Sequence, residues 1–141
     1  MLKINDKAPD FSLKDKEGNT VKLFDFKGKD LVLYFYPKDD TPGCTAEACS
    51  FRDEFSEFKK KGITVLGISM DNEKSHEKFI NKYKLSFTLL SDPEGIVCKK
   101  YDSYGKKSMY GKEYMGVQRS TFIIGKDGKI EKVSDKQMKL I

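Results

Sequence analysis

The apolar residues of this chain follow two rhythms. Near the start, Phe11-Ser12-Leu13 and Thr20-Val21-Lys22-Leu23 alternate, and Lys14-Asp15-Lys16-Glu17-Gly18-Asn19 between them is rich in turn formers, which predicts a β-hairpin. Leu31 to Tyr36 is an unbroken apolar run, expected as a strand buried on both faces and stopped by Pro37. The rhythm then changes. Ala48, Phe51, Phe55 and Phe58 recur at spacings of three and four, which puts one apolar stripe on a helix from about Thr45 to Lys61, with Gly62 at its end. Ile63 to Ser69 reads as a second buried strand. Asp71-Asn72-Glu73 offers a helix start, and Phe79, Ile80 and Tyr83 supply that helix with an apolar face. Leu89-Leu90-Ser91 is a short extended segment, and Asp92-Pro93-Glu94 opens a helix through about Tyr101. Residues 103–118 read as a loop. Ser120 to Ile124 is a strand, turned at Gly125-Lys126-Asp127-Gly128 into a returning strand from Lys129 to Val133. Strand–helix–strand segments imply a right-handed parallel crossover, and the closing hairpin adds antiparallel strands. The class is α/β, a mixed sheet with helices on its faces, and the whole of residues 1–141 is expected as one domain.

Composition narrows the functions. The chain has no apolar run near the roughly eighteen residues that cross a membrane, and its first residues lack the apolar centre of a signal peptide. A cytoplasmic location without membrane association is therefore expected. The net charge of +5 is carried almost wholly by lysine, and no basic run is interleaved with stacking aromatics, which argues against nucleic acid. Three cysteines are too few, and of the wrong parity, for a secreted disulfide framework. No Cys/His spacing suggests zinc. The only histidine, His76, lies in a polar segment and is expected on a helix surface.

The chemistry gathers after the first buried strand, in Pro37-Lys38-Asp39-Asp40-Thr41-Pro42-Gly43-Cys44-Thr45-Ala46-Glu47-Ala48-Cys49. A thiol at a strand-to-helix junction meets unpaired backbone N–H groups and the positive end of the helix dipole, which favour the reactive thiolate. A second thiol five residues on suggests attack by Cys44 and resolution by Cys49. On an ideal helix such positions have Cα atoms about 8.6 Å apart, whereas a disulfide takes about 4.4–6.8 Å. If the two bond, the first helical turns must unwind. Each residue also has a plainer reading. Cys44 fits a small buried hydrophobe, Thr41 a helix N-cap, Glu47 a partner of the N-terminal dipole, and Cys49 an inert helix residue. Arg119 fits a charge at a strand edge, and Arg52 either a surface pair or a second role at the site. Cys98 is expected to be a buried packing residue. With arginine so scarce, Arg119 before an apolar strand points to a geometric task.

Pro37, Thr41 and Cys44 match the Pro-x-x-x-Thr-x-x-Cys pattern of peroxiredoxins, and the run from Thr41 to Cys49 resembles the bacterioferritin-comigratory, or PrxQ, class. Ala8-Pro9-Asp10-Phe11, Leu66-Gly67-Ile68-Ser69, Leu90-Ser91-Asp92-Pro93 and Arg119-Ser120-Thr121-Phe122 extend the likeness over about residues 3–133. The resemblance implies a thioredoxin-like fold with an N-terminal β-hairpin extension. It implies a peroxidase that reduces hydrogen peroxide and organic hydroperoxides, with Cys44 peroxidatic and Cys49 resolving. Thr41 and Arg119 would assist the reaction, Pro37, Pro42 and Gly43 would shape the thiol pocket, and Glu47 would hold Arg119. The oxidised pair would be recycled by thioredoxin or a similar dithiol. No metal, haem or flavin is implied, and a monomer is expected, with a dimer as the alternative. A thiol–disulfide oxidoreductase, whose usual signature is Cys-x-x-Cys, and a redox-sensing interaction protein are the rival readings. The chain departs from the class at its end, where the terminal helix is expected to be short or absent.

Overall fold

The longest apolar run becomes an interior strand of the sheet because both of its faces must be covered. In the computed structural model, which describes residues 2–134, β3 (Asp30–Phe35) lies between β4 (Ile63–Ser69), which it pairs in parallel, and β8 (Ser120–Ile124), which it pairs antiparallel. The predicted N-terminal hairpin is β1 (Ser12–Lys14) with β2 (Thr20–Lys22), and the closing one is β8 with β9 (Ile130–Ser134). With β5 (Thr88–Ser91), the sheet runs β2-β1-β5-β4-β3-β8-β9.

Side chains alternate across β3. Leu31, Leu33 and Phe35 pack with Phe11, Tyr101 and Phe122 on one face, beside the short helix α4 (Ile96–Lys100). Val32, Tyr34 and Tyr36 face the other side, where α1 (Pro42–Asp53), α2 (Phe55–Lys60) and α3 (Glu73–Tyr83) bring Cys44, Ala48, Phe51, Phe58 and Phe79. Each such aromatic, fully buried, stabilises the fold by about 1.5–3 kcal/mol. Among the described residues no helix is long and apolar enough to cross a membrane.

The structure corrects four expectations about the elements. The single helix over 45–61 is two, α1 and α2, because Glu54 (φ −96°, ψ 4°) leaves helical geometry between them. Phe51 and Phe58 then reach the core on either side of the break, with Phe55 only partly buried. The helix also starts earlier, since Pro42 at the first position has its φ already set for a helix and no N–H to lose. The helix expected over 92–101 narrows to α4 and starts after Gly95, whose backbone is left-handed at φ +68°. The segment 103–118 is no loop but an antiparallel hairpin, β6 (Tyr104–Met109) with β7 (Lys112–Val117). Its two-residue turn, Tyr110-Gly111, has positive φ at both positions, the geometry that matches strand twist. The expected short or absent terminal helix falls on 135–141, outside the described residues.

Candidate active site

The strand ladder brings the thiol and the arginine together. β3 leads through residues 36–41 into α1, and its antiparallel neighbour β8 is preceded directly by Arg119. Residues 75 apart in sequence thereby meet, and Arg119 Nη2 donates to the Cys44 sulfur at 3.3 Å. Nη1 of the same guanidinium donates to Glu47 Oε1 at 2.5 Å. Glu47 stands one turn past Cys44, so one planar fork spans both side chains.

Cys44 is the third residue of α1. The first intrahelical bond runs from Thr45 N–H to Thr41 O at 2.8 Å, so the N–H groups of Gly43 and Cys44 precede the helical ladder. Cys44 is almost closed off, at 2% exposure, while Pro42 and Gly43 in front of it are exposed and Pro37 is half-buried. Thr41 holds the N-cap position with extended backbone but makes no side-chain cap bond. Its hydroxyl donates to Lys38 O at 2.9 Å, which leaves the oxygen lone pairs as acceptors.

Glu47 is 3% exposed, and its Oε2 has no hydrogen-bond partner. Burial lifts its carboxyl above the usual range; the Arg119 charge and hydrogen bond pull the other way without cancelling this. Burial also draws Arg119 toward neutrality, but the Cys44 and Glu47 contacts outweigh it and hold the guanidinium above its ordinary value.

The remaining cysteines differ sharply. Cys49 lies on α1 with Cys44, partly exposed, and all three thiols are free. Cys98 is fully buried in α4 among core residues, and burial, with Asp92 adding to it, pushes its thiol well above the ordinary range. Arg52 bonds Asp53 and the Tyr83 carbonyl, which assigns it to holding α1 against the end of α3.

The clearest correction concerns His76. It was expected on a helix surface, yet it is fully buried, against the loop that carries the motif. Nδ1 lies 2.7 Å from Asp39 Oδ2, and Nε2 lies 3.0 Å from Leu90 O. The signal was present in the spacing. His76, Phe79, Ile80 and Tyr83 form an i, i+3, i+4, i+7 stripe, and a polar side chain on such a stripe faces inward with the rest. The next motif residue, Asp40, has left-handed backbone (φ +54°) and is gripped by Lys82 and by Tyr83 Oη, each at 2.8 Å. The Lys82 and Tyr83 hydrogen bonds hold its carboxyl below the usual range. Asp39, Asp71 and His76 each place one potential metal-ligand atom within 4.8 Å of the others. Those atoms are engaged in hydrogen bonds, since Asp71 Oδ2 accepts from Asp39 N–H and Ser69 Oγ.

Comparison with known proteins gives a consistent result. The AhpC/TSA family matches residues 4–133. Peroxiredoxin Bcp of Bacillus subtilis is 50% identical over 131 residues, covering 93% of this chain and 83% of that protein. The PrxQ structure from Xylella fastidiosa superposes with a TM-score of 0.90 at 36% identity, over 100% of this chain and 89% of the other. The bacterioferritin comigratory protein of Xanthomonas campestris, solved to address its alkyl peroxide reduction activity, gives 0.85 at 37% identity, over 95% and 85%.

Proposed function

The chain belongs to the AhpC/TSA family, as a thiol-dependent peroxidase of the Bcp/PrxQ kind, and from that premise we propose that Cys44 is its nucleophile and Cys49 its resolving thiol. The observation that carries this is the Arg119 contact to the Cys44 sulfur at a helix start. The Cys44 thiolate attacks one oxygen of the hydroperoxide. The O–O bond breaks, sulfur becomes sulfenic acid, and the other oxygen leaves as alkoxide or hydroxide and takes a proton. Arg119 supplies fixed donors that never deprotonate, placed where negative charge sits first on sulfur and then on the leaving oxygen. The Thr41 oxygen, its proton committed to Lys38 O, accepts a hydrogen bond from the peroxide. Pro37, Pro42 and Gly43 frame the approach, and Glu47 fixes the guanidinium.

The Cys49 thiolate then attacks the sulfenic sulfur, forms the Cys44–Cys49 disulfide and releases hydroxide, which leaves as water. Because one helix carries both residues, α1 unwinds over its first turns for that bond to form. A dithiol donor such as thioredoxin restores both thiols by exchange, and a reducing compartment such as the cytoplasm suits such a cycle.

The test is peroxide consumption coupled to thioredoxin, with Cys44→Ser as control, followed by peptide mapping of the oxidised protein. Turnover that survives Cys44→Ser rejects the nucleophile. A Cys44–Cys98 bond moves the resolving role to Cys98.

A further inference from the structure

The residues between Pro37 and Thr41 are held by more than their own backbone. Asp39 is nearly buried, and its carboxylate collects donors from two elements. Tyr36 Oη donates to Oδ1 at 2.5 Å, and Ser75 Oγ donates to Oδ2 at 2.7 Å. His76 Nδ1 meets Oδ2 at 2.7 Å. Burial, Tyr34 and Asp39 itself hold the Tyr36 phenol well above its ordinary value, so that hydroxyl keeps its proton. The carboxylate is thus held from several sides. Nε2 of His76 faces the Leu90 carbonyl, which can only accept. Nδ1 also stands 3.4 Å from Tyr36 Oη. The ring bridges Asp39 and Leu90, with Asp71 as the further carboxylate of the cluster.

We propose that His76 is a positioning residue of the peroxidase reaction, a buried strut that runs from the β5 carbonyl of Leu90 to the Asp39 carboxyl group and fixes the loop that delivers Thr41 and the start of the Cys44 helix. This rests on the reading of Cys44 as the nucleophile. The strut works by distance. Without the ring, Asp39 loses the contact that holds Oδ2 at 2.7 Å from Nδ1. Asp39 then moves, and Thr41, two residues on, moves with it. Ångström-scale misplacement of this kind costs about a hundredfold in rate. Asp40, gripped by Lys82 and Tyr83 of the same helix, gives the loop a second anchor, so release of Asp39 shifts the loop without unfolding it.

One histidine in the chain makes the test direct. In the reduced protein, labelled at the imidazole nitrogens, NMR should show both ring nitrogens in hydrogen bonds. Asp39→Asn should move the Nδ1 signal and leave that of Nε2 in place. The rate constant for peroxide, measured in one turnover, should fall about ten- to a hundredfold in both Asp39→Asn and His76→Leu. If His76→Leu fails to fold, Asp39→Asn, which keeps the side-chain shape, still decides. His76→Gln, whose amide reaches one of the two partners, should recover part of the rate lost in His76→Leu. An Nδ1 signal that Asp39→Asn leaves unmoved overturns the inference. Wild-type rates in Asp39→Asn overturn it as well. If Cys44→Ser is inactive in the same assay, that failure leaves the nucleophile standing; if Cys44→Ser stays active, it is the nucleophile reading that fails.

Discussion

The Arg119 guanidinium lies over Gly43 in the space where a side chain would begin. A β-carbon at position 43 would stand 3.2 Å from Nη2, the nitrogen that reaches the Cys44 sulfur. The glycine is there for clearance. Its backbone is ordinary helix, and φ is not in the left-handed region that only glycine favours.

That separation of roles makes Gly43→Ala informative. Alanine favours the helix by about 0.5–1 kcal/mol, so the melting temperature should hold or rise. The arginine must yield by a few tenths of an ångström, and the peroxide rate constant should drop several-fold, short of the roughly hundredfold of a full misplacement. A stable variant with undiminished rate would show that the Arg119 position does not matter.

Arg119→Lys keeps the charge and loses the fork. A lysine cannot hold Glu47 and face the sulfur with fixed geometry. The rate constant for peroxide should fall about a hundred- to a thousandfold, the usual cost of one well-placed transition-state donor. Stopped-flow measurement of the first turnover reads this without involving the reductant.

Glu47 sets a pH signature on stability. Its carboxyl is raised by burial, so the folded protein keeps the proton where the unfolded chain has already lost it. The native state binds more protons in that window, and stability falls as pH climbs from the ordinary value of 4.5 through the raised one. Above the window the loss is complete. Glu47→Gln removes this contribution, so the melting temperature of the variant relative to wild type should improve with rising pH and then level off. Parallel curves would contradict the assignment. The same variant weakens the hold on Arg119 and should lose about tenfold or more in peroxide rate.

Cys49→Ser should leave the first attack on peroxide nearly intact while ending thioredoxin-supported turnover, with Cys44 accumulating as sulfenic or higher oxidised species detectable by mass. Cys98→Val should turn over like wild type, since that thiol is sealed in the core. Amide exchange over 42–49 should quicken when the wild type is oxidised. Full helix protection in the oxidised form would rule out unwinding.

The strands of the sheet were legible because burial on one or both faces writes itself into apolar spacing. The hairpin over 104–117 was not, because its strands lie largely in solvent and Met109, Tyr110, Tyr114 and Met115 are exposed. No inward face demands alternation there. The thiol pair and the motif were visible as residue types at fixed spacing. The proximity of Arg119 to Cys44 is a property of the β3–β8 ladder, and local sequence alone does not carry it. His76 was misplaced because a polar residue was read as surface, although its helical stripe pointed inward. The break at Glu54 has no Gly or Pro to mark it.

The ladder also imposes an order in time. Synthesis proceeds from the N-terminus, so Cys44 is made long before Arg119, which follows 75 residues later, directly before β8. A growing chain therefore presents a thiol with no guanidinium beside it, and the sulfur–guanidinium contact comes into being only when β8 closes against β3. That contact needs residues 119–124, and a fragment that stops short of Arg119 carries the cysteine without its partner.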